Sequence, residues 1–261
     1  MILKITNLFL KIIIIIFCFN VKAFSVFQPN QLPFIEYLPI NRDIINEENI
    51  NTALKLQENR FYILYSYQNM KIRDNIECNE IKKENYIENI NYLIIELKKY
   101  SSSFFNNINF NYLVLCQSLK LNSILTAGIP SNNVATLIFD ISLNKDILAR
   151  SLHHEIFHMM KQNKDYKSFN DKYSKINDKE FEYGGCPLCS ESIDISFNNN
   201  IDGFVTEYSK NTIEEDQAEV FAAVMSMTNF DIYFSNNKKV LLKKKIIYDF
   251  FKKINKELKK K

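Results

Sequence analysis

Three histidines occur in the chain, and all of them fall within "SLHHEIFHMM", as His153, His154 and His158. The stretch His154-Glu155-Ile156-Phe157-His158 has the spacing H-E-x-x-H. On a helix, residues four apart lie one turn above each other. Both imidazoles can then converge on one Zn2+, each nitrogen about 2.0–2.1 Å from the ion. Glu155 is rotated about 100° from His154, so it can reach a water activated by the metal without being a ligand. That is the chemistry the spacing suits: the metal acidifies the water and the carboxylate takes its proton. His153 points about 100° away from His154 and is expected to pack or to face substrate rather than bind metal.

A catalytic zinc needs a third protein ligand and an open position. With no other histidine in the chain, that ligand must be a carboxylate or a thiolate. The carboxylates lie in "FVTEYSKNTIEEDQAEVFAAVM", where Glu215 and Glu219 are four apart and share a helix face. One can bind the metal while the other, a turn away, accepts a hydrogen bond from a ligating histidine. Glu214 and Asp216 point to other faces and are expected to be solvated charges in the first turn. The thiolates are in Cys186-Pro187-Leu188-Cys189, whose C-x-x-C spacing also suits a metal. With His154 and His158 they could make a closed Cys2His2 structural zinc site, and the protein would then be a binding module rather than an enzyme. A redox role for this pair lacks the βαβ surroundings it would need.

An H-E-x-x-H followed by E-x-x-x-[DE] on a downstream helix is similar to the gluzincin metallopeptidases. More narrowly, Tyr208, the six residues "SKNTIE", Glu215, "DQA", Glu219, Val220 and Phe221 resemble the catalytic domain of anthrax lethal factor and related secreted metallopeptidases. The resemblance implies Glu215 as the third zinc ligand and Glu219 as the carboxylate behind a histidine. It implies Glu155 as the general base, and Tyr208 as a donor to the oxyanion of the tetrahedral intermediate. It implies a protein or peptide substrate, held as an added strand on a sheet edge drawn from residues 110 to 141. The likeness covers about residues 85 to 258. It departs at Phe157, where many such enzymes have glycine, and from Asp165 to Asp202, a long segment with its own C-x-x-C. A degenerate relative without activity would carry the same residues.

The 261 residues suffice for one sizeable core. Hydrophobic residues at 46% and charged residues at 24% fit a folded chain. The net charge of +3 conceals an asymmetry. From Lys238 to Lys261 eleven lysines face Asp249 and Glu257, and the first 23 residues add Lys4, Lys11 and Lys22. Removing that +9 and +3 from the total leaves −9 on residues 24 to 237. The body is acidic, so no nucleic-acid partner is expected.

The start, "MILKITNLFLKIIIIIFCFNVKAFS", has lysines before an apolar run from Ile12 to Phe19, then small residues at Val21 and Ala23. This is a secretory signal pattern over residues 1–23, with cleavage expected after Ala23 and no stable membrane insertion afterwards. The run is short for a span of about 20 residues. Besides Cys18, an exported chain would hold Cys78, Cys116, Cys186 and Cys189 in disulfides. Of three connectivities, Cys78–Cys116 with a local Cys186–Cys189 is expected.

The elements that must position these groups follow from periodicity. Residues 24 to 42 read as a proline-punctuated lead-in, 43 to 59 as a helix, and "RFYILYSY" at 60 to 67 as a strand. Together 24–83 form an N-terminal extension packing on the core, and 84–261 the zinc-binding domain. Within it, apolar residues from Glu84 to Tyr100 recur at helical gaps. Two or three strands follow, with "AGIPSNN" as a turn between them and "VATLIFDI" the last. A helix over about 144–162 carries the H-E-x-x-H motif. A polar irregular segment spans 163 to 203, a second helix runs over about 212–228, and a basic amphipathic helix covers about 238–258, its lysines facing solvent. The expected class is α+β: a small, mostly antiparallel sheet packed on the motif helix, with the second ligand-bearing helix and the C-terminal helix beside it.

Overall fold

The structure, a computed structural model, describes residues 62–65, 75–101, 103–185 and 194–255. The signal segment, the proline-rich lead-in, the helix expected over 43–59 and the Cys186–Cys189 pair lie outside these residues.

The architecture is α+β. Among the described residues six strands, β1 (Tyr62–Tyr65), β2 (Ile76–Asn79), β3 (Tyr112–Leu121), β4 (Ile124–Leu125), β5 (Gly128–Ser131) and β6 (Thr136–Asp140), form one sheet. The main order is β1-β3-β6-β5, with β2 and β4 also pairing β3. The sheet is mixed: β1, β3 and β6 run parallel, while the β2, β4 and β5 pairings are antiparallel. β1 and β2 precede residue 84, so the stretch read as an extension contributes strands to this sheet.

β3 and β6 are buried on both faces, as parallel strands require. Leu113, Leu115, Leu137 and Phe139 face the helices. Val114, Cys116 and Ile138 join Ile76 and Ile129 on the far face. There Cys78 of β2 and Cys116 of β3 form the expected disulfide, with Cα atoms 5.4 Å apart.

The helices are α1 (Ile87–Leu97), α2 (Phe104–Asn107), α3 (Lys145–Met160), α4 (Tyr166–Tyr173), α5 (Ile213–Ser226), α6 (Phe230–Tyr233) and α7 (Lys238–Ile254). Side chains start the three long ones. Asn144, Thr212 and Asn237 each accept a hydrogen bond from the backbone N–H three residues on, at 3.0, 3.1 and 3.3 Å. Such caps satisfy amides that the helix itself leaves unpaired. α5 lies centrally, packed on both α3 and α7.

Two expectations are corrected. "AGIPSNN" is not all turn: Gly128–Ser131 is the edge strand β5, and the turn follows at Asn132–Ala135, where Ala135 takes φ 52°. Asp140 N–H donates to Ala127 O at 2.9 Å, which places Gly128 and Pro130 at the alternate positions, facing away from β6. Proline, which has no N–H, is tolerated at such an outward edge position. The segment after Gln162 is also not wholly irregular. It contains α4, whose Phe169 ring stacks on Phe250 of α7 with centroids 4.4 Å apart. Tyr166 also meets Phe250 and Tyr173 is buried, although the surrounding sequence is polar.

Candidate metal centre

α3 and α5 lie side by side and carry the two halves of the site. His154 and His158 are one turn apart on α3, with ring centroids 4.9 Å apart. Their Nε2 atoms are separated by 3.1 Å. From α5, Glu215 Oε2 stands 3.0 Å from His154 Nε2 and 3.6 Å from His158 Nε2. Ligand atoms about 2.0–2.1 Å from a tetrahedral zinc lie about 3.3 Å from one another, and this triangle has that size. Among the described residues, His154, His158 and Glu215 are the group able to hold a metal ion.

Hydrogen bonding points the same way. His154 Nδ1 lies 2.8 Å from Glu219 Oε1. A carboxylate only accepts, so Nδ1 carries a proton, and Nε2 is the nitrogen left to face a metal within the triangle. Glu215 Oε2 is buried there without a satisfying hydrogen bond. A buried carboxylate oxygen left without a full set of partners is costly, and a cation held within the triangle would satisfy it. Two neutral nitrogens and one carboxylate oxygen are a donor set that fits zinc.

The electrostatics are dominated by burial and by the neighbouring carboxylates. Burial alone disfavours a charged His154, yet Glu215 and Glu219 raise its pKa well above the imidazole range. Burial works against ionised Glu215 and Glu219 as well. The histidines outweigh it at Glu215, and His154 with Arg150 outweigh it at Glu219, so both carboxyls fall below their usual range. Glu155 behaves oppositely: burial raises its pKa despite the nearby histidines.

Glu155 is 8% exposed, and its room comes from the sheet. Gly128 faces the helices opposite Phe139, and a Cβ there would sit 2.6 Å from Glu155 Cγ. Tyr208 begins a single 3-10 turn, Tyr208–Lys210, just before α5, and its N–H donates to Asp194 O at 3.1 Å. Its ring lies 6.1 Å from that of His154. Burial, with Glu215 and Glu155 nearby, raises its pKa far above the ordinary phenol value, so it stays a neutral donor.

Glu219 is anchored through both oxygens. Oε1 meets His154, while Oε2 is paired with Arg150 Nη2 and accepts from Thr206 Oγ1 at 3.0 Å. His153 is fully buried on the far side of α3, with Tyr100 OH 2.6 Å from Nδ1 and Glu96 Oε2 2.7 Å from Nε2. It packs, and is not part of the triangle.

Asp216 departs from expectation. It is buried rather than solvated, and so is Lys243, read as a surface lysine of the last helix. Lys243 Nζ lies 2.6 Å from Asp216 Oδ2 and donates to Gly203 O at 2.6 Å. Tyr173 and Tyr183 donate to Asp216 at 3.1 and 2.8 Å. Burial raises the Asp216 pKa and lowers that of Lys243, each opposed by the other's charge. This cluster ties α5, next to the ligand Glu215, to α4, α7 and the loop around Tyr183.

Sequence reading thus brought together His154, Glu155, His158, Tyr208, Glu215 and Glu219. It missed Gly128, Arg150, Thr206 and the Asp216–Lys243 pair. Arg150 alone had a signal, four residues before His154 and so on its helix face. Cys186 and Cys189, the donors of the structural-zinc alternative, lie outside the described residues.

Residues 132–256 match a protein family described as "putative zinc-binding metallo-peptidase". The match supports a metallopeptidase family. It takes in α3, α5 and α7, and with them every residue of the triangle. No curated protein and no solved structure matches the chain. The gluzincin and lethal-factor likeness rests on the sequence pattern of the H-E-x-x-H motif with Tyr208, Glu215, Glu219, Val220 and Phe221.

Proposed function

We propose that the protein is an exported, gluzincin-type zinc metallopeptidase, with Glu155 as general base and Tyr208 as oxyanion donor. The observation that carries this reading is the partly buried triangle of His154, His158 and Glu215, with Glu215 Oε2 3.0 and 3.6 Å from the two Nε2 atoms and Glu155 on the next position of the same helix as His154. His154, His158 and Glu215 would hold Zn2+, which when bound lowers the pKa of a water and polarises a carbonyl.

The remaining work falls to the chain's own side chains. Glu155 takes the proton from the attacking water and delivers it to the leaving amine. Its burial favours the protonated form, which suits a carboxylate that must hold a proton briefly and release it. Tyr208 donates a hydrogen bond to the oxyanion as charge develops there, a contact stronger in the transition state than in the bound substrate. A peptide laid along the outer edge of β5 would meet the outward N–H of Gly128, beside Glu155, in the manner of an added strand.

The test is Glu155→Gln. Cleavage of a mixed peptide substrate pool should be lost, while about one zinc per chain remains, since the ligand set is intact. A fully active Glu155→Gln variant would refute the mechanism. A Cys186→Ser/Cys189→Ser variant that loses its zinc would favour the structural Cys2His2 site instead.

A further inference from the structure

We infer that Arg150 is a positioning residue for the metal site, acting through Glu219 on His154. The inference rests on the metallopeptidase reading and goes beyond it, because neither the motif nor the family match assigns Arg150 a role.

Arg150 precedes His154 by one turn of α3, so both project toward α5. Its side chain is 11% exposed and that of Glu219 4%. The guanidinium pairs with Glu219 Oε2 on one side and lies 4.1 Å over the Phe197 ring on the other. Thr206 Oγ1 donates to the same Oε2, and is itself fixed by Ser209, whose N–H donates to Thr206 Oγ1 at 3.0 Å. With Oε2 immobilised from two directions, Oε1 has one place to point, and it points at His154 Nδ1, 2.8 Å away. That contact fixes the ring's orientation and leaves Nε2 free for the metal.

The residue type matters. A guanidinium is planar, always charged, and can stack on an aromatic ring while it hydrogen-bonds a carboxylate. A lysine ammonium could supply the charge but not the stacked, directional geometry. Thr206 contributes a neutral bond to the same oxygen and should matter less, since charge-assisted bonds are about twice as strong.

The experiment is a zinc titration of the metal-free full chain against a chromophoric chelator. Arg150→Gln should weaken zinc binding about 10- to 100-fold, the range for loss of a group supporting a ligand. Arg150→Lys should recover part of this, and Thr206→Val should lose less than Arg150→Gln. Because Arg150 acts through Glu219, Arg150→Gln should add little in a Glu219→Gln background. In the cobalt-loaded protein, Arg150→Gln should shift the visible absorption bands.

Wild-type zinc affinity in Arg150→Gln would overturn the inference, as would full additivity of the two substitutions. Lower thermal stability of the metal-free Arg150→Gln chain with unchanged zinc affinity would also overturn it, showing a merely structural role. If Arg150→Gln does not fold, Arg150→Lys and Thr206→Val decide by the same titration. A wild-type chain that binds no zinc would instead overturn the metal reading itself.

Discussion

Alanine at position 128 would test how tightly the sheet holds the proposed base. Gly128 does not adopt a left-handed backbone, so alanine brings no φ penalty and the effect is steric. The new Cβ would meet Glu155 Cγ at 2.6 Å, Cδ at 3.0 Å and Oε1 at 3.3 Å. Carbon atoms pack at about 3.5–4.0 Å, so the Glu155 side chain must retreat by about 1 Å. It is 8% exposed, with little room to move, so its carboxylate is displaced from the site. A misplacement of about 1 Å costs a catalytic group on the order of 10²-fold, or about 2.7 kcal/mol of barrier. The three atoms nearest the new methyl all belong to Glu155. Gly128→Ala should therefore lower kcat/KM about 100-fold at unchanged zinc content. The assay pairs peptide cleavage with metal analysis of the same sample. Wild-type cleavage by Gly128→Ala would refute the reasoning, and so would a loss of zinc matching the loss of activity.

Further outcomes are expected. Tyr208→Phe should lower kcat by about 10²-fold, with KM and zinc content nearly unchanged, as for a donor used only in the transition state; a changed KM with constant kcat would argue for a substrate-binding role instead. Lys243→Met should cost about 3–5 kcal/mol in urea denaturation, because Asp216 is left charged and buried without its partner. Adding Asp216→Asn should restore part of that loss, and an unchanged midpoint in the single variant would count against the buried pair. Cys78→Ser, which opens a link across 38 residues, should lower stability by roughly 2–4 kcal/mol, with wild-type stability under oxidising conditions as the contrary result.

The two halves of the candidate site were legible as separate helical patterns. H-E-x-x-H and E-x-x-x-E each describe side chains one turn apart, and the relation between residues four apart is a local property of a helix. The approximate starts of the motif helix, the second helix and the last helix were legible from periodicity, and the structure adds the side chains that cap them. β5 was obscured because its glycine and proline are ordinary turn residues. What makes them a strand is the pairing with β6 and the Glu155 side chain that occupies the space at Gly128. α4 was obscured because Tyr166 and Phe169 anchor an otherwise polar stretch on Phe250 of a helix far along the chain.

By itself, then, the sequence determined the donor types and the helices that present them. Glu215 lies 57 residues after His158, and no local rule sets their distance. The packing of α5 on α3 closed the triangle to 3.0–3.6 Å. Only that packing could decide that Glu219 reaches His154 through a carboxylate held by Arg150, and only the packing of α5 against α7 and α4 that Asp216 and Lys243 are buried together. Burial and long-range pairing depend on which surfaces meet, and a charge in a sequence looks the same whether water or another helix faces it.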